Sequence, residues 1–366
     1  MKSIIIKLFL TMLTFMIFIT LTSCNPTTPS GIDSSSNHDK ISSNPTSNDK
    51  ESDPLNEIKE EKITLKPEQQ ENDCEIINFK DEALENAVRK MLGKTSGNIY
   101  YGEIRKIKEL ELRNEGIKTI EDLQWFTSLE SLDLFNVYEI NNYNEVSDIS
   151  PLKGLRNLTQ LTLSGNKISD INDLKEITTL KELNLLGNAI KDISSLRHLK
   201  NLTYLDLSYN QIVDISPLKE LENISVLYLS DNNIKDFSVI ESMKEIKKIS
   251  ISDNKITKLN FEINNLVNLE ELSLSYNDIS DLSQLSGLTS LTYLNLNSNK
   301  IVDIYPLRGL TNLKKLYIEN NSISDIEILE NLTNLETLYV SNNPIKDFSP
   351  VEGYYYSLKE KDFSLE

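Results

Sequence analysis

Few residues in this 366-residue chain are equipped for covalent chemistry. There are two cysteines, Cys24 and Cys74, and two histidines, His38 and His198. Cys24 ends the run Leu21-Thr22-Ser23-Cys24, directly after the 14 largely apolar residues from Leu8 to Leu21. A cysteine there offers a sulfur nucleophile where a serine oxygen would be poorer at neutral pH. Cys74, in Asn72-Asp73-Cys74-Glu75, has no basic neighbour in sequence to lower its pKa. It reads as a partly buried structural thiol; a redox or dimer-forming thiol is the alternative. His38 lies with Asp33 and Asp39 in a polar stretch that reads as solvated linker. No nucleophile–base motif, metal cluster or phosphate loop is visible, and eleven glycines argue against Gly-rich nucleotide loops. The reading therefore assigns no catalytic residue, metal or cofactor. A net charge of −18 repels phosphate backbones and excludes nucleic acid as the main partner. Non-covalent chemistry is better supplied, by fifteen tyrosines.

The elements that position these residues begin with an address. Lys2 and Lys7 form a positive start, and the apolar run after them suits a secretory signal; a membrane-spanning helix needs about 20 apolar residues. Leu21-Thr22-Ser23-Cys24 resembles the bacterial lipoprotein lipobox. The resemblance implies cleavage after residue 23 and a lipid on Cys24; an uncleaved anchor is the alternative. Both place the remaining chain outside the cytoplasmic membrane, tied to it and exposed at the cell surface. Residues 24–74 are rich in Ser, Asn, Pro, Thr, Asp and Lys, and between Asn25 and Pro54 carry only Ile32 and Ile41 as large apolar residues. They read as a disordered tether with an end-to-end distance on the order of 40 Å.

From Ile107 onward, eleven units repeat the pattern LxxLxLxxNxIxDIxxLxxLxx through residue 356. Nine have 22 residues, the second 29 and the seventh 23. This resembles the leucine-rich repeat of the bacterial internalins, in its 22-residue subclass. The resemblance implies an α/β solenoid: a right-handed horseshoe with a parallel concave sheet and 3₁₀ turns on the convex side. A unit cannot cover its own apolar face, so stacking supplies the core. Residues 75–106 precede the array. Within them, Leu84, Ala87, Val88, Met91 and Leu92 share one helical face stopped by Gly93, which predicts a helical cap. Residues 357–366 read as a tail, part of a short improvised cap that begins at Val351. No immunoglobulin-like extension or LPxTG sorting signal is seen, unlike many internalins, and the lipid anchor would replace wall sorting. Asparagine fills the ninth place of ten units and should bridge neighbouring units from inside. Aspartate fills the thirteenth place of nine units, from Asp148 to Asp347. It reads as the N-cap of the back turn, with a calcium-binding stripe as the alternative.

Strand alternation turns places 3, 5 and 7 of each unit outward on the concave sheet, a face about 48 Å long. Tyr204, Val226 and Tyr228 cluster there with Tyr209 just beyond, and Tyr293, Tyr317 and Tyr339 form a second cluster. Phe135 and Leu186 add apolar groups at place 7. Tyrosine among Ser and Asn suits an adaptable protein-binding surface, although tyrosine also favours strands for its own sake. The seven extra residues of the second unit put Tyr138 and Tyr143 at the rim of this face. The expectation is a surface-anchored lipoprotein that binds a protein partner on its concave face, of adhesion or recognition type. The alternative is an envelope scaffold without a specific ligand.

Overall fold

The computed structural model describes residues 73–136, 142–261 and 266–365. The chain divides into two units, Met1–Cys74 and Glu75–Glu366, and the second is described below.

Each repeat contributes one three-residue strand at places 3 to 5. These are β1 Glu109–Glu111, β2 Ser131–Asp133, β3 Gln160–Thr162, β4 Glu182–Asn184, β5 Tyr204–Asp206, β6 Val226–Tyr228, β7 Lys248–Ser250, β8 Glu271–Ser273, β9 Tyr293–Asn295, β10 Lys315–Tyr317 and β11 Thr337–Tyr339. All pair in parallel with their sequence neighbours in one sheet. Register is place on place: Leu183 lies beside Leu205, and Leu205 beside Leu227. A slip of one residue would turn these leucines to solvent, so burial fixes the register. In the fifth repeat Leu202, Leu205, Leu207, Ile212, Ile215, Leu218 and Leu221 are all buried, which places strand, turn and back in one continuous core.

The back of each repeat is a short 3₁₀ turn, such as Ser194–His198 and Ser216–Glu220. The aspartates stabilise it, but not as N-caps. The N-cap is the following apolar residue, for example Ile215 or Phe237, which has no side-chain cap. Asp214 sits one residue earlier, and its Oδ1 accepts from Ser216 N at 2.8 Å, an Asx turn. The same bond recurs from Asp148 to Asp347.

The ninth-place asparagines bridge repeats as expected. Asn210 Nδ2 donates to Leu185 O of the preceding repeat and to Leu207 O of its own, both at 3.0 Å. Its Oδ1 accepts from Ile190 N at 3.0 Å. From Asn166 onward, the residue before each asparagine turns the chain out of the strand in the left-handed region. Gly165 and Gly187 suit it; Tyr209 (φ 56°) and Tyr276 (φ 54°) do not.

At the N-terminal end, α1 (Glu82–Leu92) lays Leu84, Ala87 and Val88 on the core and stops at Gly93, φ 66°. Met91 is 43% exposed, so the apolar face is narrower than its spacing predicts. The Asp81 carboxylate caps α1 by accepting from Leu84 N and also takes Lys118 N and Thr119 N of the first repeat. Burial raises its pKa, but these N–H donors together with that of Ala83 outweigh the effect and hold it below the usual carboxylate value. A short second helix, α2 (Tyr101–Ile104), completes the cap.

At the other end the tail does more than cover the core. Glu360–Lys361 forms a twelfth strand, β12, parallel to β11. Asp362 accepts from Val340 N and Ser341 N, both at 2.8 Å. Phe363 stacks on Phe348 at 4.8 Å.

The long second repeat is held at its start by Asn136, which is fully buried. Its Nδ2 donates to Asn144 O and Gly165 O, and its Oδ1 accepts from Asn144 N. Residues 137–141 between them, including Tyr138, lie outside the described residues, as do Cys24, the whole leader and the tether up to residue 72. Four residues of the seventh repeat's back turn, 262–265, lie outside them too, and with them the curvature change expected of its extra residue.

Candidate binding face

Outward places of the sheet carry a sequence of chemically distinct zones. Toward the N-terminal end the face is acidic and polar: Glu109, Glu111, Gln160 and Glu182 are exposed. Asp133 is neutralised by Arg113, whose Nε and Nη2 reach its Oδ2 at 2.7 and 2.6 Å. Phe135 and Leu186 are half-buried at place 7.

The fifth and sixth repeats hold the first aromatic group. Tyr204 and Tyr228 meet edge to face with ring centroids 5.9 Å apart, and Val226 is half-buried beside them. Burial, with the nearby Asp206 carboxylate, pushes the Tyr204 phenol well above its ordinary value; burial raises Tyr228 as well. Both hydroxyls are neutral at physiological pH, as an ordinary phenol is.

Hydroxyls and one ion pair fill the middle of the face. Lys248 meets Glu271 at 2.7 Å, and Ser230–Ser250 and Ser252–Ser273 bond across repeats at 2.8 Å. Beyond them lies the second aromatic group. Tyr293 and Tyr317 are 5.5 Å apart, and Tyr317 and Tyr339 stack at 5.4 Å with planes 21° apart. Burial, helped by Tyr293 and Glu360, raises the Tyr317 phenol to about 12.

Sequence reasoning thus places Tyr204, Val226, Tyr228, Tyr293, Tyr317 and Tyr339 on one face and in two contacting groups. Tyr209 stands apart from them. It lies past the strand, 59% exposed at the rim, where its hydroxyl bonds to Asp231. Tyr143, from the end of the insertion, is 39% exposed. Tyr276, at the place equivalent to Tyr209, is 51% exposed and escaped the sequence reading, which did not treat that place as a separate rim position. Asp206 also escaped it: a carboxylate only 7% exposed, two residues after Tyr204 on β5 and in register with Tyr228 on β6. Cys74, expected to be partly buried, is exposed.

A depression of about 810 Å³ lies elsewhere, on the back of the last repeats, lined by Asp325, Glu327, Glu330, Asp347 and Glu352. Asp325 and Asp347 are committed to their Asx turns. No three metal-ligating side chains among the described residues are placed to hold an ion.

A family model described as leucine-rich repeats in two copies matches residues 127–176, 178–220, 267–309 and 311–353. The structure is similar to an internalin, InlF, of Listeria monocytogenes, with TM-score 0.61 and 29% identity over 79% of this chain and 96% of that one. It is also similar to the functional domain of InlJ from Listeria monocytogenes, with TM-score 0.64 and 22% identity over 77% of this chain; the match spans 59% of that domain. A leucine-rich repeat protein of Leptospira interrogans matches with TM-score 0.58 and 24% identity, over 72% of this chain and 74% of its own. The last two likenesses concern the fold alone. Among curated protein sequences none matches the chain significantly. The chain carries leucine-rich repeats and is built as an internalin-like solenoid.

Proposed function

We propose that this protein is a cell-surface lipoprotein, tethered through Cys24, that binds a protein partner on the concave face of its repeats in adhesion or recognition. The observation that carries the binding reading is the two groups of half-buried tyrosines in mutual contact on that face. An outward strand place with no ligand to meet needs only small polar groups, as the seventh and eighth repeats illustrate with serines and one ion pair. Packed tyrosines present large apolar area with a neutral hydroxyl donor at the tip and lose little rotamer freedom on burial. Rings already fixed against each other lose still less. The lipobox-like Leu21-Thr22-Ser23-Cys24 supports the anchor, and the polar stretch after it would hold the solenoid off the membrane.

The test starts from the full chain immobilised against surface extracts of candidate cells. A captured protein supports the reading only if it depends on the face. Tyr317→Ala should weaken its binding by about 1–2 kcal/mol or more, as for an aromatic hot spot. Lys219→Ala, on the convex side, should leave it unchanged. Retention by Tyr317→Ala and by Tyr204→Ala alike, with loss in the convex variant, overturns the reading.

A further inference from the structure

At four junctions of this sheet, place 7 of one repeat bonds to place 5 of the next. Arg113 binds Asp133, Ser164 Oγ donates to Asn184 Oδ1 at 2.8 Å, and Ser230 and Ser252 bond to Ser250 and Ser273. The fifth repeat has no such bond, although its place 5 is a carboxylate. Place 5 is Asp206, and the place-7 residue before it is Leu186, which has nothing to donate. Asp206 is satisfied only locally, its Oδ1 accepting from Ser208 N at 2.9 Å with help from the Ser208 hydroxyl. No cation among the described residues pairs with it, nor with Glu182, which lies directly across from Tyr204. Two carboxylates and two tyrosines therefore share one diagonal of the sheet, Glu182 beside Tyr204 and Asp206 beside Tyr228.

The fold itself does not ask for a carboxylate here. Asn184 and Asn295 occupy the same place and make the same bond to the N–H two residues on, both at 3.0 Å. Burial at 7% exposure makes the charge on Asp206 costly, and its pKa is raised accordingly. A buried carboxylate that the fold can replace by an amide calls for a cation from elsewhere. The molecule already holds the template: Arg113 engages one oxygen of Asp133 while the other accepts from Phe135 N.

We propose that Asp206, Glu182, Tyr204, Tyr228 and Leu186 form an arginine-binding subsite, filled by an arginine side chain of the partner protein that docks on Asp206 as Arg113 docks on Asp133. This rests on the concave-face reading and specifies its chemistry. The guanidinium forks onto the outward-facing oxygen edge of Asp206 and toward Glu182. Its plane stacks on a tyrosine ring, swung aside to uncover the carboxylate, and its methylenes lie on Leu186. Arginine is specified over lysine because only a planar fork stacks and chelates together.

The experiment titrates the full-length protein with acetyl-Gly-Arg-Gly-amide and follows tyrosine ring resonances by NMR. The same peptides with citrulline or lysine in place of arginine serve as controls. Arginine should saturate at about millimolar concentration, with citrulline at least about fivefold weaker and lysine between them. Asp206→Asn, which keeps the turn bond, should weaken the arginine peptide by about fivefold or more without lowering the melting temperature. Leu186→Arg should abolish the response by filling the subsite from within, as Arg113 fills its own. Equal binding of arginine and citrulline, or an unchanged titration in Asp206→Asn and Leu186→Arg, overturns the subsite. If a captured partner depends on Tyr317 while the peptide ignores Asp206, the subsite falls and the concave-face reading survives. If Asp206→Asn removes peptide binding while the partner ignores every concave variant, the reading falls and the subsite survives.

Discussion

Replacing Asn254 by alanine tests the load on one rung of the asparagine ladder. Asn254 Nδ2 donates to Leu229 O, Ile251 O and Ser252 O, and its Oδ1 accepts from Ile234 N at 2.9 Å. The three carbonyls each keep another donor after truncation: Asn232 for Leu229 O, Asn277 for Ile251 O, and Asp231 N for Ser252 O. Ile234 N keeps none, and Ile234 is fully buried. An orphaned buried N–H costs about 1–3 kcal/mol, and the weakened carbonyl bonds add less than one bond's worth each. The expected loss is therefore about 2–3 kcal/mol. Asn254→Asp should cost at least as much, because it sets a carboxylate against three carbonyl oxygens. Ser252→Ala, nearby on the concave face, gives up hydroxyl contacts to Ser273 and Ser275 at a half-buried site and should cost under about 1 kcal/mol. Urea unfolding followed by far-ultraviolet circular dichroism reads all three. Equal midpoints for Asn254→Ala and Ser252→Ala would refute the assignment of inward and outward places.

Tyr276→Asn should stabilise the fold by about 1 kcal/mol, since it relieves a left-handed backbone that asparagine tolerates; a lower midpoint counts against strain there. Asp81 is held below its unfolded pKa, so its contribution is complete above about pH 4 and is lost as pH falls through the folded value. Acid unfolding of the parent should accordingly begin below about pH 4, and Asp81→Asn should flatten that dependence in parallel melts. Cys24→Ala should leave unprocessed precursor or release protein into the medium, read by fractionation and N-terminal mass; unaltered processing would remove the lipid anchor from the proposal.

The register of the array was legible because seven buried places per repeat leave one way to stack, and the strands fall where the LxL pattern puts them. The twelfth strand was not, because Lys361 takes the inward place held by Leu338 in the repeat before it. There Lys361 lies over the Tyr355 ring at 4.6 Å, a partner the end of the stack supplies and a periodic pattern cannot. The turn chemistry was half legible. Aspartate before a 3₁₀ turn signals a capped backbone, but whether its bond closes an Asx turn or a true N-cap depends on a single residue's offset. Of the candidate site, the tyrosines declared themselves by being large where small residues suffice. Asp206 did not, because an acid on an outward strand place is unremarkable until its cross-repeat partner proves to be a leucine.

Strand spacing also makes the concave face a scale with fixed graduations. Tyr228 on β6 and Tyr293 on β9 are three strand intervals apart, about 14 Å. A partner touching both aromatic groups must match that distance, and neither group can drift toward the other by point substitution. Gain or loss of whole 22-residue units between them would change it only in steps of about 4.8 Å. Because each repeat bonds only to its neighbours, such a step leaves both groups intact. Recognition by this molecule can thus be retuned in length without being retuned in chemistry.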